Sequence, residues 1–238
     1  MTVHTDRFTK SSPLGSVIMH PPFPLLQQPK PLLRGWLHRL AFITAIILSP
    51  ILIHAAEGAR GLASVYSVAI IALFGVSSTY HGHDWSSNAH ELWRRIDHGM
   101  IFVAIASTYT PLAWLILPRT ERLLILSIAW VGAACGILIM LFWPVAPRSL
   151  LVSLFILVGW SALLIIDDLW RFLSPWGFML LICGGALHTL GAGVYAAQRP
   201  DPWPSIFGFH EIFHILVVFA VAAHYVLIAF FVLPTAHP

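Results

Sequence analysis

The chain has 238 residues, of which 58% are hydrophobic and 10% charged, and its mean hydropathy is +0.81. Soluble domains carry roughly a quarter charged residues, so this composition excludes a water-soluble fold and points to an all-α, polytopic membrane protein. The net charge of +3 comes from 13 Lys and Arg against 10 Asp and Glu, with no basic run and no aromatic-basic patch that would track phosphates; nucleic acid is not a partner.

Residues 1–34 contain Pro21, Pro22, Pro24, Pro29 and Pro31, which no helix can run through, and lack the basic-then-apolar order of a signal peptide. They read as a flexible Pro-rich tail on the cytoplasmic side, leaving 35–238 as one membrane domain. Apolar runs of about 18 residues or more are long enough as helices to cross a hydrocarbon layer of about 30 Å. They place seven spans near 36–56, 62–80, 99–118, 123–143, 149–166, 175–197 and 208–233. The connections between them are too short for a second domain. Trp36, Trp85, Trp93, Trp143, Trp176 and Trp203 fall near span ends, where amphipathic rings suit the headgroup layer.

Cys135 and Cys183 lie inside apolar runs, as small packing residues do, so no disulfide framework is indicated. Seven spans put the two termini on opposite sides. With the N-terminus inside, the cytoplasmic side holds nine of the 13 Lys and Arg (Arg7, Lys10, Lys30, Arg34, Arg39, Arg94, Arg95, Arg148, Arg199), against Arg60, Arg119, Arg122 and Arg171 opposite. The positive-inside rule therefore predicts a cytoplasmic N-terminus.

The same parity gathers the polar chemistry. Span two ends in Ser77-Ser78-Thr79-Tyr80-His81, span three begins just after Asp97-His98, and span seven opens with His210-Glu211-Ile212-Phe213-His214. All three lie on one face. His210 and His214 are four apart and project from one side of a helix, as a shared metal requires, and Ser77 and His81 repeat that spacing. Three histidines from two helices match a catalytic zinc site, in which water takes the fourth position. Asp97 is then placed to orient that water or take its proton, with Ser77 as a nearby hydrogen-bonding partner.

Other residues have plainer readings. His83, His90 and His98 read as interfacial or satisfied packing residues rather than ligands. His54, His188 and His224 sit in or near other spans, and packing is favoured there over axial ligation of a haem. Tyr109-Thr110-Pro111 reads as a kink in span three, and the glycines of span six as close-packing positions. His210 to His214 also fits H-E-x-x-H, in which Glu211 would be the base of an intramembrane protease.

Ser77-x-x-x-His81, Arg95-Ile96-Asp97-His98 leading to Ser107-Thr108-Tyr109-Thr110-Pro111, and Phe209 to His214 together resemble the hemolysin III family, from Arg34-Gly35-Trp36-Leu37-His38 to His224. That family is related to the progestin and adiponectin receptors, and the wider superfamily includes alkaline ceramidases. Ser107 stands where the family often has Gly. The resemblance implies Zn²⁺ held by His81, His210 and His214, Asp97 holding the zinc's water, and a multi-pass protein of the bacterial inner membrane. It further implies hydrolysis of amide- or ester-linked lipids, with membrane lipids and a lipid-like substrate as partners and self-association left open. A receptor-like or pore-forming protein with a structural zinc is the alternative.

Overall fold

The computed structural model describes residues 31–143 and 146–236; of the tail expected over 1–34, residues 1–30 lie outside the described residues. From Pro31 onward the chain forms one compact unit. Its helices are α1 (Trp36–Ala55), α2 (Arg60–Gly82), α3 (Ser87–Ile116), α4 (Arg119–Phe142), α5 (Arg148–Gly159), α6 (Ile166–Phe172), α7 (Pro175–Ala197) and α8 (Phe209–Leu227). Helix α5, a 3₁₀ segment Trp160–Ile165 and α6 run on as one apolar stretch, and α8 continues through a π-turn and a 3₁₀-turn to Ala236. Seven helical stretches are thus long and apolar enough to cross a membrane, and no strand occurs among the described residues.

Sequence chemistry accounts for several boundaries. Helix α7 starts at Ser174-Pro175: the Ser174 hydroxyl accepts from the Gly177 N–H, and proline occupies a first-turn position whose missing N–H is not needed. Helix α3 starts twelve residues before the apolar run that marks span three in the sequence. Its polar first turns are held by Glu91, which accepts from Arg94 one turn on at 2.7 and 2.8 Å and from Arg95 at 2.9 Å. Hydropathy registers only the lipid-soluble part of such a helix, so Asp97 lies well inside α3 rather than ahead of it.

Span five is interrupted by a specific side chain. The Tyr109 hydroxyl donates to the Gly159 carbonyl and accepts from the Ala162 N–H, entering the backbone ladder of its neighbour. An inserted polar group opens the i→i−4 pattern, and the chain tightens to 3₁₀ there. In α3 itself, Pro111 removes one backbone donor, and the Thr110 hydroxyl bonds back to the Ala106 carbonyl at 2.8 Å.

The helices pack in chain order, α1 on α2, α2 on α3, α3 on α4, α4 on α5, α5 on α7 and α7 on α8, and α8 returns to α1. Helix α3 also touches α5 and the turns after α8. Its most apolar window is 56% buried, against 22–44% for the other spans, which makes it the central helix. The outer surface is apolar: Ile43, Ile47 and Ile51 on α1, Leu124, Val131 and Leu138 on α4, and Phe219 and Phe230 near the C-terminus are all exposed. Such a surface is stable facing lipid and an aggregation hazard in water. The chain is an integral multi-pass membrane protein.

Candidate metal centre

Helices that alternate in direction bring the N-terminal ends of α1, α3 and α8 and the C-terminal ends of α2 and α7 to one face. His81 stands in the last turn of α2, and His210 and His214 in the first two turns of α8. The start of α8 is fixed locally. The Asp201 carboxylate accepts from the Phe209 N–H at 2.9 Å, and the Glu211 carboxylate reaches back to the Gly208 N–H at 2.8 Å. These bonds set the register that turns both imidazoles inward.

One ring nitrogen from each of His81, His210 and His214 lies within 4.8 Å of the others. Nε2 of His81 and Nε2 of His210 are 3.1 Å apart. Two nitrogens bound to one tetrahedral ion at about 2.0–2.1 Å stand roughly 3.3 Å apart, so this pair already has the spacing a shared ion needs. His214 is 2% exposed, and its buried Nδ1 has no hydrogen-bond partner. Three inward imidazoles, one with an unsatisfied nitrogen, suit a divalent metal held by three protein ligands.

The flanking groups are also assembled. Asp97 Oδ2 lies 3.9 Å from His81 Nε2, and the Ser77 hydroxyl interacts with the Asp97 carboxyl. A hydrogen bond of 2.8 Å links Ser77 Oγ to Nδ1 of His38, whose ring stacks on His214 with centroids 3.7 Å apart and an 11° tilt. His38 and Ser77 are 3% and 2% exposed, so this is a built polar network in an apolar bundle rather than an interfacial fringe. All five residues expected at the site, Ser77, His81, Asp97, His210 and His214, are brought together.

His38, Arg34 and Gly35 are the neighbours that motif reading did not assign to the site. Arg34 Nε pairs with Glu211 Oε1 at 2.7 Å, although Glu211 is almost fully buried. With Oε2 on the Gly208 N–H, both Glu211 oxygens are engaged in structure. Gly35 has φ +77°, and a Cβ there would stand 2.7 Å from the His81 Cβ, so the backbone passes too close to His81 for any side chain. Span parity was the available signal: residues opening span one must share the face on which span two ends.

The remaining histidines near this face lie outside the triad. His98 donates from Nδ1 to the Arg94 carbonyl at 2.6 Å and accepts at Nε2 from the Tyr195 hydroxyl at 2.8 Å. Nδ1 of His83 donates to the Thr79 carbonyl, and a hydrogen bond links His90 to the Tyr80 hydroxyl.

His210 and His214 of the triad, with Ser77 and Asp97, line the head of a deep apolar cavity. Its wall follows α3 from Asp97 to Leu112, α7 from Tyr195 back to Leu181, and α8 from His210 to His224. Fourteen or fifteen helical residues correspond to a depth of about 21–22 Å, comparable to an extended long acyl chain.

Fold and site together define a seven-span membrane protein with a three-histidine centre at one face, opening onto a long apolar cavity. The family described as haemolysin-III related matches residues 26–225, and the chain belongs to it. It is similar to Hemolysin-3 of Bacillus cereus (29% identical, covering 82% of this chain and 86% of the relative) and to the Hemolysin-3 homolog of Bacillus subtilis strain 168 (31%, covering 71% and 76%). It is more distantly similar to the human Monocyte to macrophage differentiation factor (24% identical, covering 79% and 78%).

Proposed function

We propose that this protein is a zinc-dependent hydrolase of amide- or ester-linked lipids in a bacterial plasma membrane. The observation that carries the reading is the meeting of three imidazoles from α2 and α8 with the Asp97 carboxyl at the head of an acyl-sized cavity. His81, His210 and His214 would hold the ion, which when bound polarises a carbonyl and acidifies water.

The chain's own residues do the rest. The cavity takes the acyl chain and excludes water from it, fixing the carbonyl at the triad. Asp97 accepts the proton of the attacking water and returns it to the leaving amine or alcohol. Ser77 and His38 orient that carboxyl and the His214 ring, as outer groups around metal ligands do. The excess of Lys and Arg supports a cytoplasmic site face.

Geometry favours this over the protease reading. Both Glu211 oxygens are occupied by Arg34 and the Gly208 N–H, while His81, from another helix, completes the triad. A structural zinc in a receptor-like or pore-forming protein would need its fourth place closed by the protein. The cavity reaching the triad supports an open one.

The test is metal content by mass spectrometry on detergent-purified protein, followed by fatty-acid release from lipid amides and esters. Expected are about one zinc per chain in the wild type, its loss in His81→Ala and in the His210→Ala/His214→Ala double variant, and loss of turnover in Asp97→Ala. Well-folded, metal-free wild type, or full turnover by Asp97→Ala, would refute the mechanism.

A further inference from the structure

A second histidine cluster lies deep in the same cavity. His188 on α7 and His224 on α8 face each other with ring centroids 5.6 Å apart and a 25° tilt. His224 is ten residues beyond His214, about 15 Å further along α8. The pair is thus separate from the metal centre.

The bonding of these rings fixes what they can recognise. Nδ1 of His188 lies 3.1 Å from the Gly184 carbonyl, and Nε2 of His224 lies 3.3 Å from the Leu181 carbonyl. A carbonyl only accepts, so each of these nitrogens carries the proton. In a neutral imidazole the other nitrogen then offers a lone pair. Two stacked cations in an apolar span would be costly, so both rings are neutral. His188 Nε2 and His224 Nδ1 therefore remain as acceptors, on two residues that line the cavity.

The rest of the deep wall offers nothing comparable. Leu112, Leu181, Ile182, Val217 and Val221 are apolar. The hydroxyls of Thr108, Tyr109 and Thr189 each already donate to a backbone carbonyl. The helix backbone is also adapted to the pair. A Cβ on Gly184 would collide with the His224 ring, whereas one on Gly185, beside it in the cavity wall, would meet nothing within 4 Å. Space has been left next to two unused acceptors.

We infer that His188 and His224 form a subsite for a hydroxyl group carried partway along an acyl chain, so that the cavity selects hydroxylated long-chain acyl groups over unsubstituted ones. A neutral acceptor pair in an apolar wall rejects a carboxylate, gains nothing from a plain methylene chain, and is satisfied by a donor that brings its own hydrocarbon on both sides. The inference rests on the reading of the cavity as an acyl site and deepens it by naming the substrate class.

Binding tests it without turnover. The full chain in detergent is titrated with a long-chain fatty acid and with the acid of equal length bearing a mid-chain hydroxyl, by competition with a fluorescent fatty acid. The wild type should bind the hydroxylated acid about five-fold tighter, the worth of one net hydrogen bond. The His188→Leu/His224→Leu variant should lose that preference while keeping its affinity for the plain acid. Gly185→Leu, which fills the space beside the pair and leaves both carbonyl bonds intact, should lose it too and covers the case of a double variant that does not fold. Equal affinities in the wild type, or a preference that survives in Gly185→Leu, would overturn the subsite. Because no hydrolysis is measured, a hydroxyl preference without lipid turnover would keep the subsite and remove only the hydrolase.

Discussion

Replacing Arg34 with methionine should destabilise the bundle by about 3–5 kcal/mol, the usual cost of leaving one member of a buried ion pair without its partner. The magnitude follows from an asymmetry in exposure. The Glu211 side chain is 1% exposed, so when Arg34 Nε at 2.7 Å is removed, the Oε1 charge cannot reach water. The Arg34 side chain is 23% exposed, so Glu211→Gln should cost less, about 1–2 kcal/mol, because the guanidinium can rehydrate and the amide oxygen can still accept from the Gly208 N–H. The double variant Arg34→Met/Glu211→Gln buries no charge and should be more stable than Arg34→Met alone. Coupling above about 1 kcal/mol is expected from thermal or denaturant unfolding in detergent. Coupling below about 0.5 kcal/mol would refute the assignment of Glu211 to structure and reopen its reading as a catalytic base.

Gly35→Ala should lower metal occupancy and cost about 1–3 kcal/mol, because it forces a side chain into a left-handed position against His81; mass spectrometry and a melting curve read both effects. Tyr109→Phe should cost about 1–3 kcal/mol of unfolding free energy by unpairing the Gly159 carbonyl and the Ala162 N–H, and an unchanged melting temperature would refute the wedge. Asp97→Asn should retain bound metal while reducing lipid turnover about 10²–10⁴-fold, which separates proton transfer from metal binding. Removing the metal with a chelator should lower the melting temperature, and zinc should restore it in a concentration-dependent way; a chelator-insensitive melting curve would argue against an ion joining α2 and α8.

The sequence by itself determined the class, the number of spans and the face on which the polar residues meet. Runs of Leu, Ile and Val long enough to cross a bilayer must be helical there, because no other local structure satisfies every backbone group in hydrocarbon. Seven crossings then fix which ends share a side. The i, i+4 spacing of His210 and His214 turned both rings to one side, and the motif around them carried the family. The start of α3 was not legible from hydropathy, because Glu91, Arg94 and Arg95 stabilise helix by pairing with one another, and charge reads as loop when only apolarity is counted.

Only the tertiary structure decided which polar residues touch. Nothing local to residues 34–38 shows that His38 stacks on His214, that Arg34 neutralises Glu211, or that Gly35 is glycine because His81 passes beside it. The 3₁₀ break in span five depends on a hydroxyl from α3, about fifty residues earlier in the chain. The cavity, and the pairing of His188 with His224 inside it, exist only where α7 and α8 lie antiparallel with glycines at the contact. These are contacts between helices whose outer faces are chemically alike. In lipid the apolar pattern drives insertion but does not rank one packing over another, so the choice falls to small residues and buried polar bonds that meet only after the helices assemble.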